Sequence, residues 1–157
     1  MCGLSLLRCF FQHASPIQDI CSMFHLGVVV DSQLRFTEHV AMITRKGHQR
    51  ANLIHRCFTS KDRSLLVKAF ITYVRPISEY NSQVWSPNAL KEINRTEAVQ
   101  RRFTKRIPGM LGRSYHSRLK MLNLDSLELR RLRADLLLVY NILLGLLHTN
   151  TESLFLL

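Results

Sequence analysis

Apolar residues recur at spacings of three and four over most of the chain after residue 36, which is typical of amphipathic helices. The pattern predicts five helices. The first follows an N-cap at Thr37 and runs to Phe58, and the second runs from Leu65 to Ile77, where Pro76 bends or ends it. The third runs from Leu90 to a stop at Pro108-Gly109, a short fourth from Tyr115 to Leu122, and the last begins at Asp125. We therefore expect a helical bundle.

The last helix is expected to begin at Asp125. Glu128 lies three residues after Asp125, which resembles a capping box at the start of this helix. Its expected stripe is Leu129, Leu132, Leu136, Val139 and Leu143. The apolar run from 136 to 147 is shorter than the ~20 residues that a membrane-spanning helix needs, so we assign it to a buried helix.

A short β element precedes the helices. The run from Leu26 to Val30 is rich in β-branched residues and ends at Asp31-Ser32, which predicts a strand and a turn. The segment Leu34 to Phe36 is expected to return as a second strand. The predicted fold class is mainly α: a helical bundle with a short β element near the N-terminus.

The two ends of the chain differ from this core. Residues 1–23 contain three of the four cysteines and show no clear period, so we treat them as a separate leader. Residues 24–147 form the helical region. Residues 148–157 are a loop followed by an apolar stub, which suggests a truncated tail.

The formal charge of +11 changes the picture most. A domain this basic usually has an acidic partner, for which nucleic acid is the first candidate and an anionic membrane surface the alternative. Guanidinium groups donate paired hydrogen bonds to phosphate oxygens. Our candidate phosphate contacts are Arg101, Arg102, Lys105, Arg106, Arg113 and Arg118, and a second patch comprises Arg130, Arg131 and Arg133, some of which can instead pair with Glu128 and Asp135.

The residues predict no catalytic centre. No two acidic residues are adjacent, so the paired carboxylates that bind two metal ions are absent as a motif. There is no glycine-rich phosphate loop and no G-x-S-x-G elbow. No cysteines have the paired spacing of a zinc site, so we expect no metal, no cofactor and reduced intracellular thiols.

Two further groups of residues allow two interpretations each. His48 and His55 are seven residues apart and can share a helix face, either as structural side chains or as part of a site. Trp85 and Tyr80 can stack on a nucleobase, or they can anchor the loop before the third helix in the core.

An ordered series of segments resembles one known family. The segments are His25-Leu26-Gly27-Val28 with Asp31-Ser32, then 50–58, 66–76, Glu79-Tyr80, 84–87, 100–109 and 126–135. In order and spacing they resemble the region that follows the palm in reverse transcriptases of non-LTR retrotransposons, the jockey-like LINE elements. The resemblance runs from about Phe24 to Gly145.

The resemblance implies a primer-grip element, a thumb and a C-terminal extension that contact the template–primer duplex. His25, Leu26 and Gly27 match the primer-grip element, although the family more often has Tyr or Asp at the first position. The family's catalytic aspartates lie upstream in the palm and include an adjacent pair, which this chain lacks. A separate palm domain is therefore a further expected partner.

These expectations combine into one functional prediction. The chain is a non-catalytic, intracellular remnant of such an RNA-directed DNA polymerase that binds nucleic-acid backbone, not a secreted or membrane protein. The expected Kd is roughly 10⁻⁴ to 10⁻⁶ M, with steep salt dependence. The alternatives are a translated relic without physiological activity, an anionic-membrane binder, and a polymerase subunit whose palm is supplied in trans.

Overall fold

The computed structural model describes residues 22–146. In chain order its elements are β1 (Ser22–His25), β2 (Val28–Asp31), α1 (Thr37–Cys57), α2 (Arg63–Tyr73), α3 (Arg75–Glu79), α4 (Ser82–Trp85), α5 (Leu90–Lys105), α6 (Tyr115–Leu122) and α7 (Leu127–Leu143). The predicted class, mainly α with a short β element near the N-terminus, is confirmed. The expectations for residues 1–21 and 147–157 lie outside the described residues.

Strands β1 and β2 form an antiparallel hairpin in which His25 is paired with Val28. Leu26 and Gly27 make the two-residue turn, and both have positive φ (46° and 82°), as a type I′ hairpin turn requires. The predicted second strand at 34–36 is wrong. Leu34 and Phe36 are left-handed (φ 53° and 54°), and the partner strand instead begins at Ser22, inside the segment assigned to the leader.

One buried histidine attaches this hairpin to α1. The Nδ1 atom of His39 accepts a hydrogen bond from the Val29 N–H at 3.2 Å, and its ring meets Trp85 edge-on, with centroids 5.1 Å apart. Burial, followed by the charge of Lys46, lowers the pKa of His39 to about 4. The imidazole therefore stays neutral at physiological pH and keeps its acceptor nitrogen.

The buried apolar residues form two clusters, and α1 contributes to both. The cluster under the hairpin contains Val28, Val30, Phe36, Val40, Ile43 and Trp85. The larger cluster joins α1, α2, α5 and α6 and contains Ala51, Ile54, Leu66, Ala69, Phe70, Val74, Val99, Phe103, Ile107, Met110, Leu119, Leu122 and Leu124. Helices α1 and α5 therefore share the centre of the molecule.

Local signals set most helix boundaries. The Asp62 carboxylate accepts hydrogen bonds from the N–H groups of Ser64 and Leu65 and so caps α2. Pro76 stands in the first turn of α3, so the predicted helix 65–77 is divided there, as expected. The cap of α7 is Ser126, whose hydroxyl accepts from the Leu129 N–H at 3.2 Å, and not the predicted Asp125.

Helix α7 presents the opposite face to the one we predicted. Its buried side chains are Leu127, Arg131 and Ile142. Four of the five predicted stripe residues are exposed, and Leu136 and Leu143 are 61% and 67% exposed. The prediction that the apolar run from 136 to 147 lies buried is therefore wrong, because most of its described residues are exposed or only partly buried. None of the helices between residues 22 and 146 is both long and apolar enough to cross a membrane.

Candidate nucleic-acid interface

Helix α5 separates its apolar and basic positions as the sequence predicted. Val99 and Phe103 are 0% and 1% exposed, respectively, in the larger cluster. The side chains on the outer surface are Arg101, Arg102, Lys105 and Arg106, all exposed. None of these four takes part in the ion pairs found among residues 22–146. These four cations at the end of α5 therefore have no carboxylate of the described residues in ion-pair contact with them.

A glycine allows α1 to approach this helix closely. A Cβ atom on Gly47 would lie only 3.1 Å from Cγ1 of Val99, so any side chain at this position would require Val99 to shift by a few tenths of an ångström. His48, Asn52 and His55 follow on the same helix at spacings of four and three, which places them on one face of α1. The close approach brings that face against the outer edge of α5.

The two helices enclose a cavity of about 300 Å³. Its lining consists of His48, Ala51, Asn52 and His55 from α1, and Val99, Arg102, Phe103, Lys105 and Arg106 from the end of α5. No carboxylate belongs to this lining. Three cations therefore converge on a concave site whose floor is apolar. We call this site the α1–α5 cavity.

Hydrogen bonds and burial organise the cavity walls. Arg106 donates from Nη1 to Oδ1 of Asn52 at 2.6 Å, which holds the guanidinium across the two helices. The pKa of His48 is lowered by burial and then by the charge of Arg102. The pKa of His55 is lowered by burial and then by Arg106, an effect that a backbone contact with Phe103 partly offsets.

Arg118 must be removed from the predicted phosphate contacts. It is 5% exposed, and its guanidinium donates to the carbonyl oxygens of Arg113 (2.7 Å) and Arg101 (3.3 Å) and to the Thr104 hydroxyl (3.3 Å). It also lies over the Tyr115 ring, 5.5 Å from its centroid. Arg118 therefore joins α5 to α6, whereas Arg113 remains exposed.

The second predicted patch, on α7, is not a set of free cations. Arg130 makes a two-pronged contact with Glu79 (2.5 and 3.0 Å), and this hydrogen bonding raises its pKa. Arg133 pairs with Asp125. Arg131 is 3% exposed, and burial lowers its pKa. The assignment of Arg130 and Arg131 as phosphate contacts is therefore corrected. Arg130 and Arg133 pair with Glu79 and Asp125, whereas the anticipated Glu128 and Asp135 act on Arg131 through their charges.

The residues that resemble a primer grip form the hairpin turn. His25 ends β1, and Leu26 and Gly27 make the turn, where Leu26 is 74% exposed. Its carbonyl accepts a hydrogen bond from the Tyr80 hydroxyl at 3.2 Å. Trp85 is 1% exposed and donates to the Tyr80 carbonyl at 2.8 Å, so it anchors the core. The hairpin and the α1–α5 cavity are built on different parts of α1.

Asn52 is a cavity residue that the sequence prediction does not include. The spacing of residues 48, 52 and 55 places three polar side chains on one side of α1, which is a signal for this site in the sequence. Gly47 inside the helix is a second signal, because glycine there is costly unless close packing requires it.

Comparisons with known proteins give one similarity. The chain is 28% identical over 126 residues to the uncharacterized protein B0403.1 of Caenorhabditis elegans. The aligned region covers 78% of this chain and 64% of that protein, so the chain spans less than two thirds of the relative. No family model and no solved structure matches the chain.

Proposed function

We propose that this chain binds nucleic acid through its sugar–phosphate backbone, without catalysing nucleotidyl transfer. One observation carries the proposal: the cations at the end of α5 converge on the α1–α5 cavity without a carboxylate among its lining residues. Protein surfaces usually neutralise such charge within the fold. Where they do not, a polyanion is the natural partner.

The geometry supports contacts to phosphate groups in particular. Arg106, the C-cap residue of α5, lies one turn beyond Arg102, about 6 Å along the helix axis. Each guanidinium can donate two parallel hydrogen bonds to phosphate oxygens. Arg101 extends this surface on the neighbouring side, where its guanidinium lies 5.0 Å from the centroid of the Tyr115 ring. Such contacts neutralise charge and do not read bases, so binding is expected to tolerate many sequences.

The resemblance to the post-palm region of non-LTR reverse transcriptases supplies the proposed ligand. In that setting the chain binds a template–primer duplex, and a separate palm domain is its protein partner. The exposed hairpin turn at Leu26 is proposed to lie beside the primer end.

A charge-neutralising variant tests the proposal. We expect the full chain to bind a labelled RNA–DNA hybrid in fluorescence anisotropy, with an affinity that falls steeply as salt rises. Replacement of Arg102, Lys105 and Arg106 by Gln is expected to weaken binding by about 100-fold and to reduce the salt slope by roughly three. The matched control is Arg130→Gln with Arg133→Gln. Unchanged binding by the triple variant, with its fold verified by circular dichroism, would contradict the proposal.

One observation favours membrane binding as a second candidate. The outer surface of α7 exposes Leu132, Leu136, Tyr140 and Leu143, which resembles the apolar face of an interfacial helix. However, the neighbouring Arg130 and Arg133 are paired with carboxylates, which weakens attraction to anionic lipid. Flotation with anionic liposomes tests this candidate. If α7 binds membranes, the wild type should float with the liposomes, and the double variant Leu136→Gln, Leu143→Gln should not.

A further inference from the structure

The α1–α5 cavity differs from a flat basic surface in being concave. Its polar groups stand on two helices, with His48, Asn52 and His55 on one side and Arg102, Lys105 and Arg106 on the other. A phosphate inside a continuous strand carries a nucleoside on each side and has two unbridged oxygens. It can contact the rim of such a cavity, but its flanking groups restrict how deeply it can enter.

The floor of the cavity does not suit a nucleobase. Phe103 is 1% exposed, and its ring packs against those of His55 and Phe70, with centroid separations of 4.6 Å in both cases. It therefore offers no open aromatic face on which a base can stack. The volume of about 300 Å³ is at the lower end for ligand pockets, which fits a small, highly charged group with part of its attached sugar.

The donors in the cavity favour a dianion. Arg106 is already oriented by its hydrogen bond to Asn52 (2.6 Å), and the described ion pairs leave Arg102 and Lys105 without a carboxylate. His55 also lines the cavity. Its Nε2 atom is buried and makes no hydrogen bond of good geometry within residues 22–146, although the imidazole lies against the backbone of Phe103. A phosphate monoester carries more than one negative charge near pH 7 and has three unbridged oxygens, so it can use donors from both walls at once.

We propose that the α1–α5 cavity binds the terminal phosphate of a nucleic-acid strand. This inference rests on the proposed nucleic-acid binding and adds a preference for phosphorylated strand ends. The exposed cation Arg101 lies on the same helix but does not line the cavity. It therefore contributes to backbone binding without contributing to the recognition of an end.

The test compares single-stranded oligonucleotides that differ only at their ends. One carries hydroxyls at both ends, a second a 5′-phosphate and a third a 3′-phosphate, with an internal dye for anisotropy. We expect the full-length wild type to bind at least one phosphorylated strand about tenfold more tightly, because several charge-assisted hydrogen bonds are added. Arg106→Gln and Lys105→Gln are expected to remove the preference. Arg101→Gln should weaken all three ligands and preserve it.

The possible failures can be told apart. Equal affinity for all three strands, with binding still sensitive to salt, overturns the end preference and leaves backbone binding standing. A preference that survives in a folded Arg106→Gln, Lys105→Gln double variant also overturns it, because the phosphate would then bind elsewhere. Absence of binding to all three single strands overturns the end preference. It overturns backbone binding as well only when the RNA–DNA hybrid also fails to bind.

Discussion

Helices α5 and α7 each contain three arginines together with apolar residues, yet the fold uses the two helices in opposite ways. α5 buries Val99 and Phe103 and leaves its cations exposed. α7 buries Arg131, pairs two more arginines with carboxylates and exposes most of its leucines. A basic amphipathic helix therefore does not by itself indicate a basic surface. The positions of carboxylates elsewhere in the chain decide the outcome.

The partners explain this difference. Glu79 ends α3 and reaches Arg130, which lies 51 residues away in sequence. Asp125 lies just before α7 and reaches Arg133. In contrast, the carboxylates of α5 itself face inward: Glu92 and Glu97 are 7% and 5% exposed, and Glu97 accepts hydrogen bonds from the Tyr115 hydroxyl and the Leu127 N–H. Glu92 pairs with Arg95 in the first half of α5 (3.8 Å), and neither carboxylate forms an ion pair with Arg101, Arg102, Lys105 or Arg106.

The largest expected effect tests which face of α7 is buried. Leu127 is fully buried, so Leu127→Ala should lower the free energy of unfolding by about 3 kcal/mol through lost burial and a residual cavity. Leu136 is 61% exposed, and Leu136→Ala should change it by less than about 0.5 kcal/mol. Urea unfolding measures both. If Leu136→Ala lowered the free energy of unfolding by more than this, the leucines of α7 would be covered. The proposed difference between α5 and α7 would then not hold.

The next effect tests the ion pairs of α7. Glu79 contacts both Arg130 and Arg75, and burial lowers the pKa of Arg75. Glu79→Gln removes the carboxylate that contacts two partly buried guanidinium groups and leaves only the more distant charge of Asp125. We therefore expect a loss of about 2 kcal/mol in the free energy of unfolding, discounted for partial exposure. Arg102→Gln is the control on α5 and should cost less than about 0.5 kcal/mol. Equal losses would mean that the cations of α5 are also structurally engaged.

The smallest effect sharpens the role of the α1–α5 cavity through pH. The pKa values of His48 and His55 lie below the ordinary 6.5 because of burial and of Arg102 and Arg106; Lys105 also lines the cavity, and no carboxylate does. A bound phosphodiester adds negative charge and raises both pKa values, so binding takes up protons. Affinity for an unphosphorylated oligonucleotide should rise about threefold as pH falls from 7.5 to 6.

Substitution of both histidines provides the control for this experiment. His48→Gln with His55→Gln should flatten the pH dependence, whereas Arg133→Gln, on α7, should preserve it. The stability of the fold changes in the opposite direction to the affinity: it falls as the solution becomes more acidic. The unfolded chain binds protons near pH 6.5 and the folded histidines only at lower pH, so stability declines as pH falls below 6.5. The fold is therefore verified by circular dichroism at each pH between 7.5 and 6, a range in which His39, with its pKa of about 4, stays neutral.

Much of the secondary structure was predictable because its causes are local. Helix α6 has the predicted bounds, and its cap is Ser114, whose hydroxyl accepts from the Ser117 N–H at 3.2 Å. Pro76 divides α2 from α3 as its missing N–H requires. Strand β1 was missed because its short segment has little alternation of its own. Its pairing with β2 becomes apparent only when the hairpin is formed.

The site was predicted only in part, because exposure is not a local property. Arg101, Arg102, Lys105 and Arg106 are exposed because Val99 and Phe103 on the opposite side of the same helix are buried. Arg118 also lies in the basic part of the sequence, but its guanidinium donates to the main-chain carbonyl oxygens of Arg101 in α5 and Arg113 in the following loop. No spacing rule distinguishes these two situations.

The sequence by itself determined the helical periods, the proline break, most chain reversals and the excess of positive charge, since these depend on residues within a turn or two of one another or on composition alone. Only the tertiary structure decided which cations remain unpaired, which face of α7 is buried and that His48, Asn52 and His55 meet the end of α5. The physical reason is that burial and ion pairing depend on contacts between residues far apart in the chain, such as Glu79 with Arg130 and Asn52 with Arg106.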